Sequence, residues 1–318
     1  MKPGQRPGRE AIAVKGWFGA FKWLIARRLT QAGILILFLL GPVAGLWLVK
    51  GNLASSLTLD VLPLTDPYVL LQTLASGHLP EMTALLGAAI VVVFYVLVGG
   101  RTYCSWVCPV NPITDAAFWL RDRLGLKGGV QFRRSIRYWV LAMTLFVAVM
   151  TGTVAWELVN PVSMVFRGIV FGVGFAWTVL LAVFLFDLFV SRRGWCSHLC
   201  PVGAFYGLLG SVSALRVSAK ARVDCDDCMD CYAVCPEPQV INPALKGAEK
   251  GASPVILSAN CTNCGRCIDV CGKDVFAFAA RTDRREKDNS GAEPQGSPNG
   301  SPHGNSGGGD KGTMLDAA

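Results

Sequence analysis

Charge and histidine are both scarce in this sequence. Only 16% of its 318 residues are Asp, Glu, Lys or Arg, against 52% hydrophobic, and the mean hydropathy is +0.42. That balance excludes an ordinary soluble enzyme and points to a membrane protein. The three histidines, His78, His198 and His303, lie outside the long apolar runs, so a bis-histidine haem between apolar helices has no ligands. No C-x2-C is followed by His, which excludes attached c-type haem, and no G-x-G-x-x-G follows a strand, so no NAD site is indicated. The net charge of +8 could suggest nucleic acid, but 15 of the 30 Lys and Arg precede residue 138, clustered beside apolar runs. No nucleic-acid partner is expected.

Four stretches are apolar enough to cross a hydrocarbon core, which takes roughly 20 helical residues. They run Leu29 to Val49, Met82 to Gly100, Tyr138 to Trp156 and Gly168 to Val190. Core helices of a soluble protein are rarely apolar on all faces over such lengths. Lys and Arg number seven before the first run (Lys2, Arg6, Arg9, Lys15, Lys22, Arg27, Arg28), one before the second (Lys50), seven before the third and one before the fourth (Arg167); Arg192 and Arg193 follow it. Positive charge stays in the cytoplasm, so both termini are expected inside. Arg27-Arg28 resembles a twin-arginine signal, but the following run is too long for an h-region and lacks a clear cleavage site.

The chain repeats itself at an offset of 92 residues: Tyr103-Cys-Ser-Trp-Val-Cys-Pro-Val110 after the second run, Trp195-Cys-Ser-His-Leu-Cys-Pro-Val202 after the fourth. Each copy is a hairpin of two spans ending in C-x3-C-P on one side, which predicts halves related by a pseudo-twofold along the membrane normal. Spacing of four sets Cys104 with Cys108, and Cys196 with Cys200, on one face of a helical turn, and Pro109 and Pro201 suit the start of the next helix. Short amphipathic stretches, Asn111 to Leu124 and Ala204 to Gly210, are expected in the interface. Buried packing thiols are one reading of these four cysteines. The others are a site for a further iron–sulfur cluster, or two dithiol pairs that cycle to disulfides. Asp187, inside the fourth run, is a candidate proton acceptor or a partner of Arg192 or Arg193.

The remaining eight cysteines carry the most specific signal. Cys225, Cys228, Cys231 and Cys235-Pro236 spell C-x2-C-x2-C-x3-C-P, and Cys261, Cys264, Cys267 and Cys271 repeat the spacing 36 residues later, with Gly272 in place of the Pro. This is the bacterial two-cluster ferredoxin pattern, in which the fourth Cys of each run crosses to the other cluster. Cys225, Cys228, Cys231 and Cys271 are thus expected to hold one [4Fe–4S] cluster, and Cys261, Cys264, Cys267 and Cys235 the other. Zinc ribbons usually need a longer spacer, and disulfides do not suit a cytoplasmic domain.

The expected fold is an α-helical integral membrane protein with four transmembrane helices in two repeated hairpins, followed by a small cytoplasmic α+β domain of the 2[4Fe–4S] ferredoxin type. The expected divisions are a basic tail over 1–28, a membrane domain over 29–211, the ferredoxin domain over 212–281 and a disordered tail over 282–318, rich in Gly, Ser, Pro and Asn.

These features resemble the NapH family, the quinol dehydrogenase membrane component of periplasmic nitrate reductase systems. Finer blocks agree over about residues 8 to 281: Gly51-Asn52, Pro63-Leu-Thr-Asp-Pro67, Leu74-Ala-Ser-Gly-His-Leu-Pro80, Cys104-Ser-Trp-Val-Cys-Pro109, Asn111-Pro-Ile-Thr-Asp115, Phe184-Leu-Phe-Asp-Leu188 and Met229-Asp-Cys231. The resemblance implies a multi-pass protein of the bacterial inner membrane that takes electrons from membrane quinol with a periplasmic iron–sulfur partner of the NapG type. The electrons pass toward a membrane-anchored multihaem cytochrome and, indirectly, periplasmic nitrate reductase. Spacing alone supports an electron carrier; quinol and nitrate come only from the resemblance. The alternative is a maturation or scaffold factor of the copper-oxidase-assembly type or a methylamine-utilisation ferredoxin-type protein of similar size.

Overall fold

The computed structural model describes residues 7–126, 128–130, 132–172, 174–283 and 285. Nearly all of the expected C-terminal tail lies outside the described residues. The chain opens on a helix much longer than the first apolar run: α1 spans Arg9–Ala44, interrupted at Gly16 (φ 71°), which only a residue without a Cβ adopts cheaply. It begins at Arg9 rather than Leu29, because the basic residues before Leu29 are good helix formers, and Lys15 meets Asp274 of the C-terminal domain while Arg28 meets Asp115. By length and composition, α1 is the one helix among the described residues that could cross a membrane outright.

The next segment is more structured than a loop. Strands β1 (Val49–Gly51), β2 (Ser55–Thr58) and β3 (Leu62–Thr65) form an antiparallel meander, with Ser55 opposite Thr65, and lead straight into α2 (Pro67–Ala75). Asp66 caps α2 by accepting from the Tyr68 N–H (3.0 Å), with Pro67 at the first helical position. β3 lies along α3 (Met82–Val98), where Gly87 leaves room for Pro63 and Thr65. α2 returns against α3 and α6 (Ile136–Thr151), where the Tyr68 and Thr144 hydroxyls meet at 2.7 Å. The segment therefore dips between the helices and brings Asp66 inward.

Between α3 and α6 lie α4 (Thr102–Trp106) and α5 (Val110–Arg123). α6 ends at the left-handed Gly152, short of the expected Trp156, which sits in a 3-10 turn, Ala155–Leu158. The fourth run is likewise divided: α7 (Pro161–Phe171) ends at Gly172 (φ 63°) and packs against α8 (Gly174–Leu185), which continues as a π-helical turn, Phe186–Val190. α7 starts as α2 does, on an Asx-Pro cap, here Asn160-Pro161. A second π-turn, Trp195–Leu199, precedes α9 (Pro201–Gly210). α9 packs against α3 and α6, with Tyr206 1% exposed on that side.

The C-terminal domain is closed by β4 (Leu215–Ser218) pairing antiparallel with β5 (Ala277–Ala280). Between them lie α10 (Asp230–Val234), α11 (Ile241–Lys246) and α12 (Arg266–Val270) around a core of Val217, Ile241, Leu245, Ile256, Val275 and Phe276. The first part of α1 lies on α12, where the Asp269 carboxylate accepts from the Trp23 and Leu24 N–H groups (3.1 and 2.9 Å).

Candidate functional site

Two cavities in the C-terminal domain are lined by cysteines. One is bordered by Cys225, Cys228, Cys231 and Cys271, the other by Cys235, Cys261, Cys264 and Cys267. The turns around them are built alike: Asp227 and Met229 (φ 60° and 65°) take the same left-handed conformations as Asn263 and Gly265 (φ 46° and 72°). Each pair flanks the second Cys of its run and curls the backbone about the cavity. Arg27 of α1 is fully buried, its Nη1 has no hydrogen-bond partner among the described residues, and it feels the Cys264 sulfur electrostatically. Burial pushes the Cys264 thiol up, but Arg266 and Arg27 outweigh it and hold the thiol below its ordinary value. Two four-cysteine cradles, the second with a buried guanidinium beside Cys264, fit negatively charged, thiolate-ligated clusters.

The C-x3-C-P cysteines form a separate group. In both repeats the last Cys closes a wide turn of the same kind: Cys108 N–H donates to the Tyr103 carbonyl and Cys200 N–H to the Trp195 carbonyl, each at 3.0 Å. Pro201 opens α9, while Pro109 lies one residue before α5. Cys196 lies in the electrostatic neighbourhood of Cys104, Cys108 and Cys200, so the fold brings all four together. Asp187 adjoins them. Its Oδ1 accepts from the Trp195 N–H (2.9 Å), while Oδ2 is buried without a partner among the described residues. Neither expected arginine pairs with it: Arg193 turns to Asp115 (3.4 Å), and Arg192 stacks on Phe118.

The second ferredoxin run is seated on the first C-x3-C-P turn. Ser105 Oγ donates to the Thr262 carbonyl (2.8 Å), Trp106 Nε1 to the Asn263 carbonyl (3.1 Å) and Arg101 Nη1 to the Asn260 carbonyl (2.9 Å). Arg101 also donates through Nη2 to the Cys196 carbonyl (3.2 Å), so one guanidinium touches both C-x3-C-P turns and the ferredoxin run.

Two carboxylates lock the seat. Glu237, 1% exposed, faces Arg101 (3.1 Å), Arg134 (3.1 Å) and Arg137 (3.6 Å). Burial pushes its carboxyl up, but Arg101, with help from Gln239 and Arg137, holds it below its usual range. Asp115 of α5 meets Arg28 (2.5 Å), Arg193 (3.4 Å) and Arg266 (2.6 Å); burial opposes ionisation there too, and these arginines outweigh it. Sequence reading missed these groups. One signal was present, since Arg101 and Arg193 occupy the same position in the 92-residue repeat.

Comparison with known proteins agrees with this arrangement. A 4Fe–4S binding domain profile matches residues 81–127 and 173–220, one copy over each C-x3-C-P repeat, and a 4Fe–4S dicluster domain profile matches residues 224–275. The methylamine utilization ferredoxin-type protein MauN of Methylorubrum extorquens is 54% identical over 272 residues, 86% of this chain and 94% of that protein. The ferredoxin-type protein NapH of Escherichia coli is 50% identical over 275 residues, 86% of this chain and 95% of that protein. The chain belongs to the NapH/MauN family of ferredoxin-type proteins. It is an iron–sulfur protein of the electron-transport kind, and members named NapH and members named MauN are about equally similar to it. No solved structure matches the chain.

Proposed function

We propose that the chain is a multi-pass electron carrier of the bacterial inner membrane that takes part in quinol oxidation and passes electrons toward a periplasmic nitrate-reducing system. Its immediate partners in this reading are a NapG-type iron–sulfur protein and a membrane-anchored multihaem cytochrome. The observation that carries it is the seating of Asn260–Asn263 on Arg101–Trp106, which joins the four-cysteine layer directly to a ferredoxin cradle. Cys225, Cys228, Cys231 and Cys271 hold one [4Fe–4S] cluster and Cys235, Cys261, Cys264 and Cys267 the other; when bound, they supply one-electron carriers.

Cys104, Cys108, Cys196 and Cys200 act as one redox unit. Each 4Fe–4S profile copy contains only two cysteines, so a shared site assembled from both repeats completes a ligand set of four. Asp187, whose Oδ2 has no hydrogen-bond partner among the described residues, takes up a proton that accompanies reduction of the cysteine layer itself.

Four crossings, α1, α3, α6 and α8 with its π-turn, are supported by the apolar side chains these helices leave exposed, among them Leu37, Phe94, Phe146 and Leu181. The alternating Lys and Arg counts support cytoplasmic termini. A second reading, a ferredoxin-type factor serving methylamine utilisation, rests on the MauN relatives. Expression in a strain lacking its own NapH separates the two. Restored nitrate-dependent quinol oxidation supports the first reading, and restored methylamine growth alone, in a MauN-deficient host, supports the second.

A further inference from the structure

One cavity is unused by the cysteine sites. It measures about 510 Å³, within the usual range for small-molecule pockets, and lies between α1, the β-meander and α3. Its walls are almost wholly apolar, with Ile34, Phe38, Leu62, Leu64, Val91 and Phe94 among them. Polar groups gather at one end, where Asp66 meets Tyr95, Tyr103 and Tyr206. Asp66 Oδ1 accepts from the Tyr206 hydroxyl (3.1 Å) as well as from its own helix, and no hydrogen bond falls on Oδ2 among the described residues. Tyr206 stacks on Tyr103 with ring centres 4.7 Å apart. Tyr103 and Val107, which both line the cavity, immediately precede Cys104 and Cys108. The polar end of the cavity and the cysteine layer therefore share one turn of chain.

We propose that this cavity binds a p-hydroquinone with an apolar tail, and that Asp66 accepts protons from its hydroxyls. The inference rests on the quinol-oxidising reading above and gives that reading a site. An amphiphile with one small polar head and a long apolar tail matches a mostly apolar cavity whose carboxylate and phenol groups lie together, its other polar lining being the hydroxyls of Ser56, Thr58 and Thr65. Leu37, Leu62 and Phe94 are exposed along its walls, which suits a tail entering from lipid. Among the described residues no Lys or Arg lines it, so the phosphate of a phospholipid finds no counter-charge from them. Oxidation of one hydroquinone releases two protons and two electrons. Each proton passes to the Asp66 carboxylate, which returns the first to water before taking the second. Cys104, Cys108, Cys196 and Cys200 would hold the oxidised iron–sulfur centre that takes the two electrons one at a time, after which the quinone leaves.

The test uses the full-length protein, purified anaerobically in detergent. Photolabelling with an azido-ubiquinone and cluster reduction by decylubiquinol, followed by EPR, are compared for wild type, Val91→Trp, Leu64→Phe, Asp66→Asn and Asp66→Glu, with dithionite reduction confirming intact clusters in each. Label is expected on peptides spanning residues 62–68 or 90–95 and is lost when the cavity is filled by Val91→Trp or Leu64→Phe. Asp66→Asn still caps α2 and keeps the label, but slows quinol-dependent reduction about a hundredfold. Asp66→Glu restores much of the rate.

Label elsewhere, or filled-cavity variants that label and reduce normally, would overturn the site while leaving quinol oxidation standing. A lipid acyl chain that occupies the cavity and resists displacement by quinone also overturns it. A wild-type protein whose clusters respond to dithionite but never to quinol defeats the functional reading itself, and the site with it.

Discussion

At Cys235 the backbone turns away from the run that supplies Cys225, Cys228 and Cys231 and faces the cavity of Cys261, Cys264 and Cys267. Cys235→Ser is therefore expected to disturb the EPR signal of the second cradle's cluster and to spare the first. Loss confined to the cluster of Cys225, Cys228 and Cys231 contradicts the crossed ligation. The Asp115 knot gives a stability prediction. Its carboxyl is held below the usual range by three arginines, so its contribution is present above the ordinary carboxylate value and is lost only as pH falls through the depressed one. Asp115→Asn leaves Arg28, Arg193 and Arg266 crowded without an anion and should cost about 3 kcal/mol at pH 7. Melting of the detergent-solubilised protein checks this, and the gap between variant and wild type should narrow only under strong acid. Equal melting at pH 7 rules out the knot as a fastening.

The cysteine spacing was legible because cluster ligands are local in sequence: three thiolates within seven residues fix the turn that holds them. Asp115, Glu237 and Arg101 were not legible, because each gains its role only from partners brought across the chain by packing. Helices α3 and α6 also lay close to their apolar runs, since a long charge-free stretch has few alternatives. The division of the fourth run at Gly172 and the inward dip of Val49–Ala75 escaped notice. A glycine within an apolar run does not announce a helix end, and three- and four-residue strands are too short for alternation to be read. Asp66-Pro67 and Asn160-Pro161 were the available clues to the short helices. At this scale the orientation can be tested with alkaline-phosphatase fusions, which should be active at Ser55 and near Pro161 and inactive after Ser211. Activity of the last fusion reverses the topology.

The molecule as a whole joins two iron–sulfur modules through a repeat. Each C-x3-C-P copy carries two cysteines, and in the proposed reading the two copies complete one ligand set; Arg101 ties the second copy to the ferredoxin run, donating to the Cys196 and Asn260 carbonyls. A unit of this kind loses its function when any member is lost, so single and multiple replacements should be grossly non-additive. The direct measurement is EPR of the ferredoxin clusters after mixing anaerobic protein with quinol, with dithionite reduction as the control for cluster assembly. It compares wild type with Cys104→Ser, Cys108→Ser, Cys196→Ser, Cys200→Ser and the fourfold variant. Each single variant should lose quinol-dependent reduction about as completely as the fourfold one while its ferredoxin clusters remain reducible by dithionite. Four single variants with near-normal reduction by quinol would contradict the account and return these cysteines to the role of packing thiols.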